Sequence, residues 1–419
     1  MDTPYISYEE HKNINVNGLA EFSILHLNIR SIKKNFENFK LFLSSFSFDY
    51  SIICFSETWL DDSFLESQSL YELPNYKSVH QVRNNGKGGG VSIYINEAIN
   101  FKLRSDLSIN STDVESISVE LLYNKKSNTL INVLYRPPKG LAEPFEKFLS
   151  SIFENTNNSN KSFHIAGDFN LNLLDHEHCK RIQNFLNLLF ENNMIPIINK
   201  PTRVTRTTAT AIDHIVTNCF ANTNFKTAIF KSDISDHFPI GVFLSPIIED
   251  KKNEVTYIYK RKINNEIIEK FNQKLYETDW NEVKTCQNPS ESYKIFITKF
   301  RNIYDAFFPK EKIKVKNKDI QSSWITAGIK KSSKRKQRLY EKFLKNRNKR
   351  NEDEYKNYKR LFETIKKRSK KLHYSNLIVK YKDNIKKTWS VIKEAIGKER
   401  IKQQSFLKKI CIGDKETTD

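Results

Sequence analysis

Cysteine is scarce and unpatterned in this chain of 419 residues. Its five cysteines, Cys54, Cys179, Cys219, Cys286 and Cys411, are odd in number and form no C-x-x-C pair. That argues against a disulfide framework or a zinc module and points to a reducing compartment. Long apolar runs are also lacking. The most apolar stretch, Phe39 to Phe55, is broken by Lys40, Asp49 and several serines, so no membrane span is expected. Asp2, Glu9 and Glu10 stand where a signal peptide would need an apolar core, so no secretion signal and an intracellular location are expected. No internal repeat of about 20–50 residues is found. The glycine run Gly86-Lys87-Gly88-Gly89-Gly90 lacks the order of a phosphate-binding loop and precedes a strand-like run rather than a helix, so it is read as a plain loop.

Charge is abundant but unevenly placed. Residues 1–250 carry 23 Lys+Arg against 28 Asp+Glu, a net −5. Residues 251–419 carry 46 against 21, a net +25. A near-neutral globular half is thus joined to a basic half suited to a polyanion, bound mainly through phosphates. The length allows about two or three domains at ~100–200 residues each.

Strand-like runs recur at Phe22–Leu27, Tyr50–Phe55, Val91–Ile95, Ile117–Leu122, Leu130–Tyr135, Phe163–Ala166, Ile212–Val216 and Phe238–Leu244. Between them, Ile32, Phe36, Phe39 and Leu43 keep helical spacing, as do Phe145, Phe148, Leu149 and Ile152, and Ile182, Phe185, Leu186 and Leu189. Many strands with few helices suggest two packed sheets with helices outside. Residues 1–20 are polar and expected to be poorly ordered. Residues 246–325 show no repeated strand signal. From Thr326 a very basic helical pattern breaks at Asn346–Asp353 and resumes with Tyr355, Tyr358, Phe362 and Ile365, which predicts an antiparallel helix pair.

Several strands end on polar clusters. The stretch Phe163-His164-Ile165-Ala166-Gly167-Asp168-Phe169-Asn170 delivers an acid and an amide to the lip of a sheet, although Gly-Asp followed by Asn is also ordinary turn chemistry. Asn28, Glu57, Tyr135 with Arg136, Asp213, and Asp236-His237 recur in the same kind of place. Carboxylates and amides with a phenol and an imidazole suit a hard divalent cation acting on a phosphate ester. His214 points away from Asp213 across the strand and is read as structural. Asp175-His176-Glu177-His178 is read as a charged helix start, not a metal site.

The ordered pieces Leu27-Asn28-Ile29-Arg30-Ser31, Ser56-Glu57-Thr58-Trp59-Leu60, Tyr135-Arg136-Pro137-Pro138, Gly167-Asp168-Phe169-Asn170, Ile212-Asp213-His214-Ile215 and Ser235-Asp236-His237 resemble the endonuclease/exonuclease/phosphatase family. They look more narrowly like the apurinic-type endonuclease domain of non-LTR (LINE-type) retrotransposons. The resemblance implies an α/β (α+β) four-layer sandwich: two packed mixed β-sheets flanked by helices, followed here by a basic helical C-terminal region. It implies Glu57 as principal metal ligand with Asn28 beside it and Asp236 as a further metal-proximal acid. It implies Tyr135 contacting phosphate, Asp168 activating or orienting the water, Asn170 holding the phosphate and Asp168 in place, and His237, oriented by Asp213, stabilising the transition state. Arg136, Thr205 and Ser235 are expected to contact substrate.

Trp324-Ile325-Thr326, Leu339-Tyr340 and Trp389 are similar to the basic connector preceding the reverse transcriptase in these elements, and no Tyr-x-Asp-Asp polymerase signature occurs. The organisation expected is a disordered N-terminus at 1–20, the nuclease domain at 21–247, a linker with short helices at 248–322, and a basic helical connector at 323–419 without the polymerase. The expected activity is a Mg²⁺-dependent DNA endonuclease, with Mn²⁺ as an alternative metal. It would leave a 3′-hydroxyl for target-primed reverse transcription. DNA is the expected substrate, the basic helices are expected to take DNA or element RNA, and the expected location is the nucleus and cytoplasmic ribonucleoprotein. Rival readings are an abasic-site repair nuclease, a phosphoesterase of the same fold, and a catalytically silent nucleic-acid-binding relic. Target preference is expected in a loop at Asn218–Ser232, through Lys226 and Lys231.

Overall fold

The computed structural model describes residues 2–14, 22–61, 64–83, 88–122, 128–156, 161–219, 223–246, 257–261, 263–314, 324–396, 410–412 and 415–417. They form two compact units, one of Met1–Ile248 with Lys318–Asp419 and one of Glu249–Asn317.

The larger unit is built on two seven-stranded mixed sheets. The first holds β1 (Tyr5–Ile6), β2 (Phe22–Asn28), β3 (Ile52–Ser56), β4 (Tyr76–Gln81), β5 (Val91–Asn96), β15 (Thr223–Phe230) and β16 (Ile240–Pro246) in the order β1-β15-β16-β2-β3-β5-β4. The second holds β6 (Asn100–Leu103), β8 (Glu115–Leu122), β9 (Thr129–Tyr135), β10 (Ser162–Asp168), β11 (Ile195–Pro196) and β14 (Asp213–Thr217), in the order β11-β14-β10-β9-β8-β6, with β7 (Ile109–Asn110) beside β8. A hairpin of β12 (Arg203–Val204) and β13 (Ala209–Thr210) stands apart. The eight strand-like runs of the sequence correspond to β2, β3, β5, β8, β9, β10, β14 and β16.

Strand alternation explains how the layers and the site arise together. One face of each sheet carries Ile24, Ile52, Ile93, Val119, Ile131, Val133, Ala166, Ile215 and Val242 into a shared core between the sheets. The opposite face of the first sheet, with Leu25, Leu27, Ile53 and Phe55, takes Ile32, Phe36, Phe39 and Phe42 of α1 (Ile32–Leu43). The short α2 (Phe64–Ser67) adds Phe64 to that layer. The outer face of the second sheet, with Leu130, Leu134, Phe163 and Ile165, takes α3 (Ala142–Thr156) and α4 (Lys180–Glu191). The result is an α/β four-layer sandwich. Continuing the inner-face alternation to the strand ends places Asn28, Tyr135, Asp168 and Asp213 on the facing sides of the two sheets.

Gly167 has a steric role. A Cβ there would collide with the carbonyl of Leu134, its partner across β9 and β10, so a side chain would force those strands apart.

Three expectations are corrected. Residues 2–14 are not disordered: β1 pairs in parallel with β15, and Thr3 and His11 are fully buried, because the sheet edge offers unpaired backbone groups and an aromatic pocket of Phe42, Phe46 and Phe230. Most of Asn218–Ser232 is not a loop but β15, paired along its length with β16, so Lys226 sits on a strand and Lys231 lies over the Tyr5 ring. Thr223, Asn224, Lys226 and Thr227 disguise a strand that is buried from Thr227 to Phe230. The stretch expected to be a linker is the smaller unit. There β17 (Tyr257–Arg261) pairs with β18 (Lys310–Lys314), and α5 (Asn265–Glu277), α6 (Asn281–Thr285) and α7 (Pro289–Phe307) pack through Phe271, Phe300, Tyr304 and Phe308.

The basic C-terminal region is helical: α8 (Ala327–Lys345), α9 (Lys349–Lys380) and α10 (Ile385–Ile396). Thr326 and Asn348 cap α8 and α9, each accepting a backbone N–H from its first turn, and the short connection makes them antiparallel. The pair docks on the two-sheet sandwich. Tyr340, Phe343 and Tyr355 join the inter-sheet core, while Trp324, Ile329 and Phe362 pack with Leu41 of α1. Between the apolar contacts lies a buried ion pair, Lys336 Nζ to Asp233 Oδ1 at 2.8 Å with both side chains 4% exposed. The Tyr355 hydroxyl donates to Asp233 Oδ2 at 3.0 Å and Lys359 Nζ to the Asp233 carbonyl at 3.0 Å. Among the described residues, no helix is long and apolar enough to cross a membrane.

Candidate active site

The strand ends meet because three registers align. Asp168 stands opposite Tyr135 on the parallel β9 and opposite Asp213 on the antiparallel β14, while Asn28 stands opposite Ser56, the residue before Glu57. Asn28 then joins the two sheets: its Nδ2 donates to Glu57 Oε1 and to Asp168 Oδ2, each at 2.8 Å. Backbone strain concentrates here. Among the described residues, five of the seven non-glycine residues with left-handed φ are Arg30, Ser31, Glu57, Trp59 and Asn170. Strain of this kind persists only where surrounding contacts enforce it, and it marks functional loops.

His237 precedes β16 and is held from two sides. Its Nδ1 meets Asp213 Oδ2 at 2.8 Å, and its backbone N–H donates to Ser235 Oγ at 3.0 Å. Asp213 is fully buried and also accepts the Thr202 hydroxyl at 2.6 Å. Burial works against a charge on His237, but the Asp213 carboxylate and its hydrogen bond outweigh it and push the imidazole up to about 9. Burial would raise Asp213, yet the charge of His237 and their hydrogen bond hold it below the ordinary carboxylate value. Asp168 is pushed up to about 7, by burial first and then by the Asp213 charge. The two acids therefore play different roles, with Asp213 ionised as the histidine's partner and Asp168 titrating near neutrality. Tyr135 is raised above its ordinary value by burial and the Glu57 charge, so it remains a neutral phenol.

Asn170 lies beside Asp168, donating its backbone N–H to Asp168 Oδ1 at 3.0 Å and its Nδ2 to the Arg136 carbonyl at 2.8 Å. His214 faces the helical layer, with Nε2 at 3.0 Å from the Ala211 carbonyl and its ring against Phe169. The acids of 175–178 do not cap α4, whose N-cap position is Cys179.

Four further residues expected to meet substrate or metal have the following partners. Arg136 is 2% exposed and its guanidinium donates to the carbonyls of Phe169, Asn170 and Gly140, so it holds the Asp168–Asn170 loop from behind rather than touching substrate. Thr205 closes the β12–β13 turn through Thr207 and Thr208. Ser235 donates to the Asn28 carbonyl at 2.6 Å and so fastens the His237 loop to β2. Asp236 Oδ2, on the acid expected near the metal, lies 2.7 Å from Arg30 Nη1 and accepts Arg203 Nε at 3.0 Å. Burial would raise that carboxyl, but His237, Arg30 and Arg203 hold it down at about 2.

Sequence reasoning missed Thr202, His26 and the two arginines. Thr202 and Thr205 share one short motif, and only the fold decides which reaches Asp213. His26 lies two residues before Asn28 on the same strand face, which was a readable signal. It is buried, pushed down to about 4 by that burial, and bonded through Nε2 to Ser56 Oγ at 3.1 Å.

Asp168, Asp213 and His237 present ligand atoms within 4.8 Å of one another, a buried acidic and histidine cluster. A hard divalent cation fits this trio poorly, because His237 carries a proton and both it and Asp213 are already bonded. The pair Glu57 and Asp168 fits better. Their oxygens flank the Asn28 –NH₂, which stands where a cation's positive charge would, while the amide oxygen of Asn28 faces the Arg30 N–H.

Residues 14–237 match the Endonuclease/Exonuclease/phosphatase family. No curated protein matches the chain. Among solved structures it is similar to the endonuclease domain of TRAS1, a telomere-specific non-LTR retrotransposon, at 11% identity, with 55% of this chain and 100% of that chain covered and a TM-score of 0.42. It is similar to the Xenopus laevis APE2 catalytic domain at 17% identity, with 55% and 94% covered and a TM-score of 0.42. It is similar to ANGEL2, a 2′,3′-cyclic phosphatase, at 14% identity, with 53% and 94% covered and a TM-score of 0.39. Since the family match spans more than half of the chain and ends on His237 itself, the protein belongs to the endonuclease/exonuclease/phosphatase family.

Proposed function

We propose that this chain is a divalent-metal-dependent DNA endonuclease that nicks one strand to leave a 3′-hydroxyl, in the service of a non-LTR retrotransposon. Members of the family are hydrolases acting on phosphodiester bonds. The observation that carries the reading is the Asp213–His237 pair set beside a near-neutral Asp168, with Glu57 across Asn28. One group of this set holds a proton and another is ready to accept one at the same pH, which is what hydrolysis of a phosphodiester needs.

In this reading Asp168 takes the proton of the attacking water, with its oxygens oriented by Asn28 and the Asn170 backbone. Asp213 fixes the Nδ1–H tautomer, leaving Nε2–H of protonated His237 to donate to a phosphoryl oxygen as charge builds there. Tyr135 offers a phenol donor to another phosphate oxygen. Glu57, with Asn28 and Asp168 beside it, would hold a Mg²⁺ or Mn²⁺ ion, which would supply Lewis-acid polarisation and charge neutralisation. Water adds to phosphorus, the bond to O3′ breaks and the departing O3′ takes a proton from solvent, giving a 5′-phosphate and a 3′-hydroxyl.

DNA and the retrotransposon context rest on the six ordered motifs and on the basic region after residue 323. The nuclease domain is assigned to residues 21–247 and the connector toward a reverse transcriptase to 323–419, with the helix pair taking DNA or element RNA. The test is nicking of supercoiled plasmid by the purified chain with Mg²⁺ and with EDTA, followed by polymerase extension from the nick. Nicking that EDTA abolishes and that leaves extendable ends is expected. Release of inorganic phosphate without nicking would assign a phosphatase instead.

A further inference from the structure

The Asp236 site holds more positive charge than its own balance requires. One carboxylate oxygen, Oδ2, takes Nη1 of Arg30 and both Nε and Nη2 of Arg203. The other oxygen, Oδ1, is buried with no hydrogen-bond partner among the described residues. Two guanidiniums on one carboxylate leave a net charge of +1. A purely structural ion pair has no need of the second cation, and it would use both oxygens of the acid. Each arginine is also well exposed, 50% for Arg30 and 38% for Arg203, against 27% for Asp236.

Both arginines are fixed beside the reacting groups by the main chain rather than by their flexible stems. Arg30 has a left-handed backbone, φ +46°, and its N–H donates to Asn28 Oδ1 at 3.2 Å. It follows Asn28 by two residues and feels the Glu57 charge. Arg203 forms an isolated antiparallel bridge with His237. The metal-facing amide and the proton-donating histidine are therefore each tied to one member of the same arginine pair. An Arg at a conformation strained for a side-chain residue, gathered on the same anion as a second Arg, is a geometry for gripping oxyanions.

We propose that Arg30 and Arg203, held together by Asp236, form a subsite for the backbone phosphate adjoining the scissile one in the bound nucleic-acid strand. Asp236 is then a positioning residue for two guanidiniums and not a metal ligand. The subsite rests on the nuclease reading for its location and supplies that reading with a strand register: one phosphate is gripped while its neighbour lies between Asp168 and His237.

The test uses the full chain and a fluorescein-labelled DNA duplex in EDTA, with binding followed by anisotropy across a potassium chloride series. Arg30→Gln and Arg203→Gln are each expected to weaken binding about ten-fold and to reduce the magnitude of the log–log salt slope, and the double variant to lose about 0.9 units of slope, the value of the one phosphate contact that the pair makes. Arg203→Lys is expected to restore the slope with only part of the affinity, since it keeps the charge and loses the fork, a pattern that damage to the fold does not produce. Unchanged affinity and slope in the double variant would overturn the subsite. Binding in EDTA needs no turnover, so a chain that binds through these arginines yet never nicks would sink the nuclease reading alone.

Discussion

Replacing Asp213 by Asn tests the electrostatic core of the site without changing its shape. Asn is isosteric, and its amide oxygen accepts the same Nδ1–H, so the 2.8 Å contact and the 2.6 Å bond from Thr202 have replacements. What disappears is the charge. In the wild type that carboxylate overcomes burial and carries His237 up to about 9. Without it, burial acts unopposed and the imidazole titrates at or below its ordinary value of about 6.5. At pH 8 the protonated fraction then falls from about 0.9 to about 0.03, a loss of ~30-fold in competent enzyme before any change in transition-state contacts. The assay is kcat/KM for nicking of a duplex oligonucleotide between pH 6 and 10, paired with imidazole NMR of His237. The wild type is expected to lose activity above about pH 9, and the variant to lose it from about pH 6.5 or below. The same shift has a stability consequence of defined sign. A folded-state value raised above the unfolded one stabilises fully below about pH 6.5, and that stability is lost as pH rises through about 9, on the order of 3 kcal/mol in all. Wild-type melting is therefore expected to weaken between pH 7 and 10 more than that of the variant. An alkaline limb that stays near pH 9 in Asp213→Asn would refute the assignment of Asp213 as the source of the histidine's charge.

Other substitutions separate catalysis from architecture. Asp168→Asn is expected to lower kcat by about 10²–10⁴-fold while raising Tm, because it removes a buried carboxylate whose charge is disfavoured by its surroundings; a kcat within two-fold of wild type would remove Asp168 from the mechanism. Arg136→Ala is expected to cost about 3 kcal/mol in urea unfolding, since three carbonyls lose a buried guanidinium donor, whereas a raised KM with unchanged stability would restore it as a substrate contact. Lys336→Ala strands Asp233 in a site where both side chains are 4% exposed and is expected to cost about 3 kcal/mol, toward the lower end for a broken buried pair because Tyr355 and Lys359 remain. Glu57→Gln is expected to leave folding intact and raise the Mg²⁺ concentration needed for half-maximal nicking by at least about ten-fold; an unshifted Mg²⁺ curve would move the cation elsewhere.

Connecting segments were less legible in the sequence than strand chemistry, and the reason is physical. The expected specificity loop at Asn218–Ser232 is largely β15: Thr223, Asn224, Lys226 and Thr227 give its first half the composition of a solvated loop, although it pairs along its length with β16. The N-terminus expected to be disordered carries an edge strand for a related reason: two residues of pairing leave almost no pattern in the sequence. The smaller unit reads as a linker because its core is aromatic and widely spaced, with Phe271 reaching Phe300 and Phe308.

The sequence by itself determined the fold and the chemistry on offer. Period-two alternation in the strands and period 3.6 in α1, α3 and α4 dictate two sheets with helices outside. The same alternation carries Asn28, Tyr135, Asp168 and Asp213 to one face, because a polar residue ending an apolar strand must emerge at its lip. Only the tertiary structure decided which polar groups meet. Arg136 and Arg203 look alike along the chain, yet one is walled in by carbonyls and the other lies open beside His237. Asp213 and Asp236 are both acids near a histidine, yet one is bonded to that imidazole and the other to two guanidiniums. Ionisation follows partners and burial, and those are properties of three-dimensional neighbours that no spacing of residues encodes.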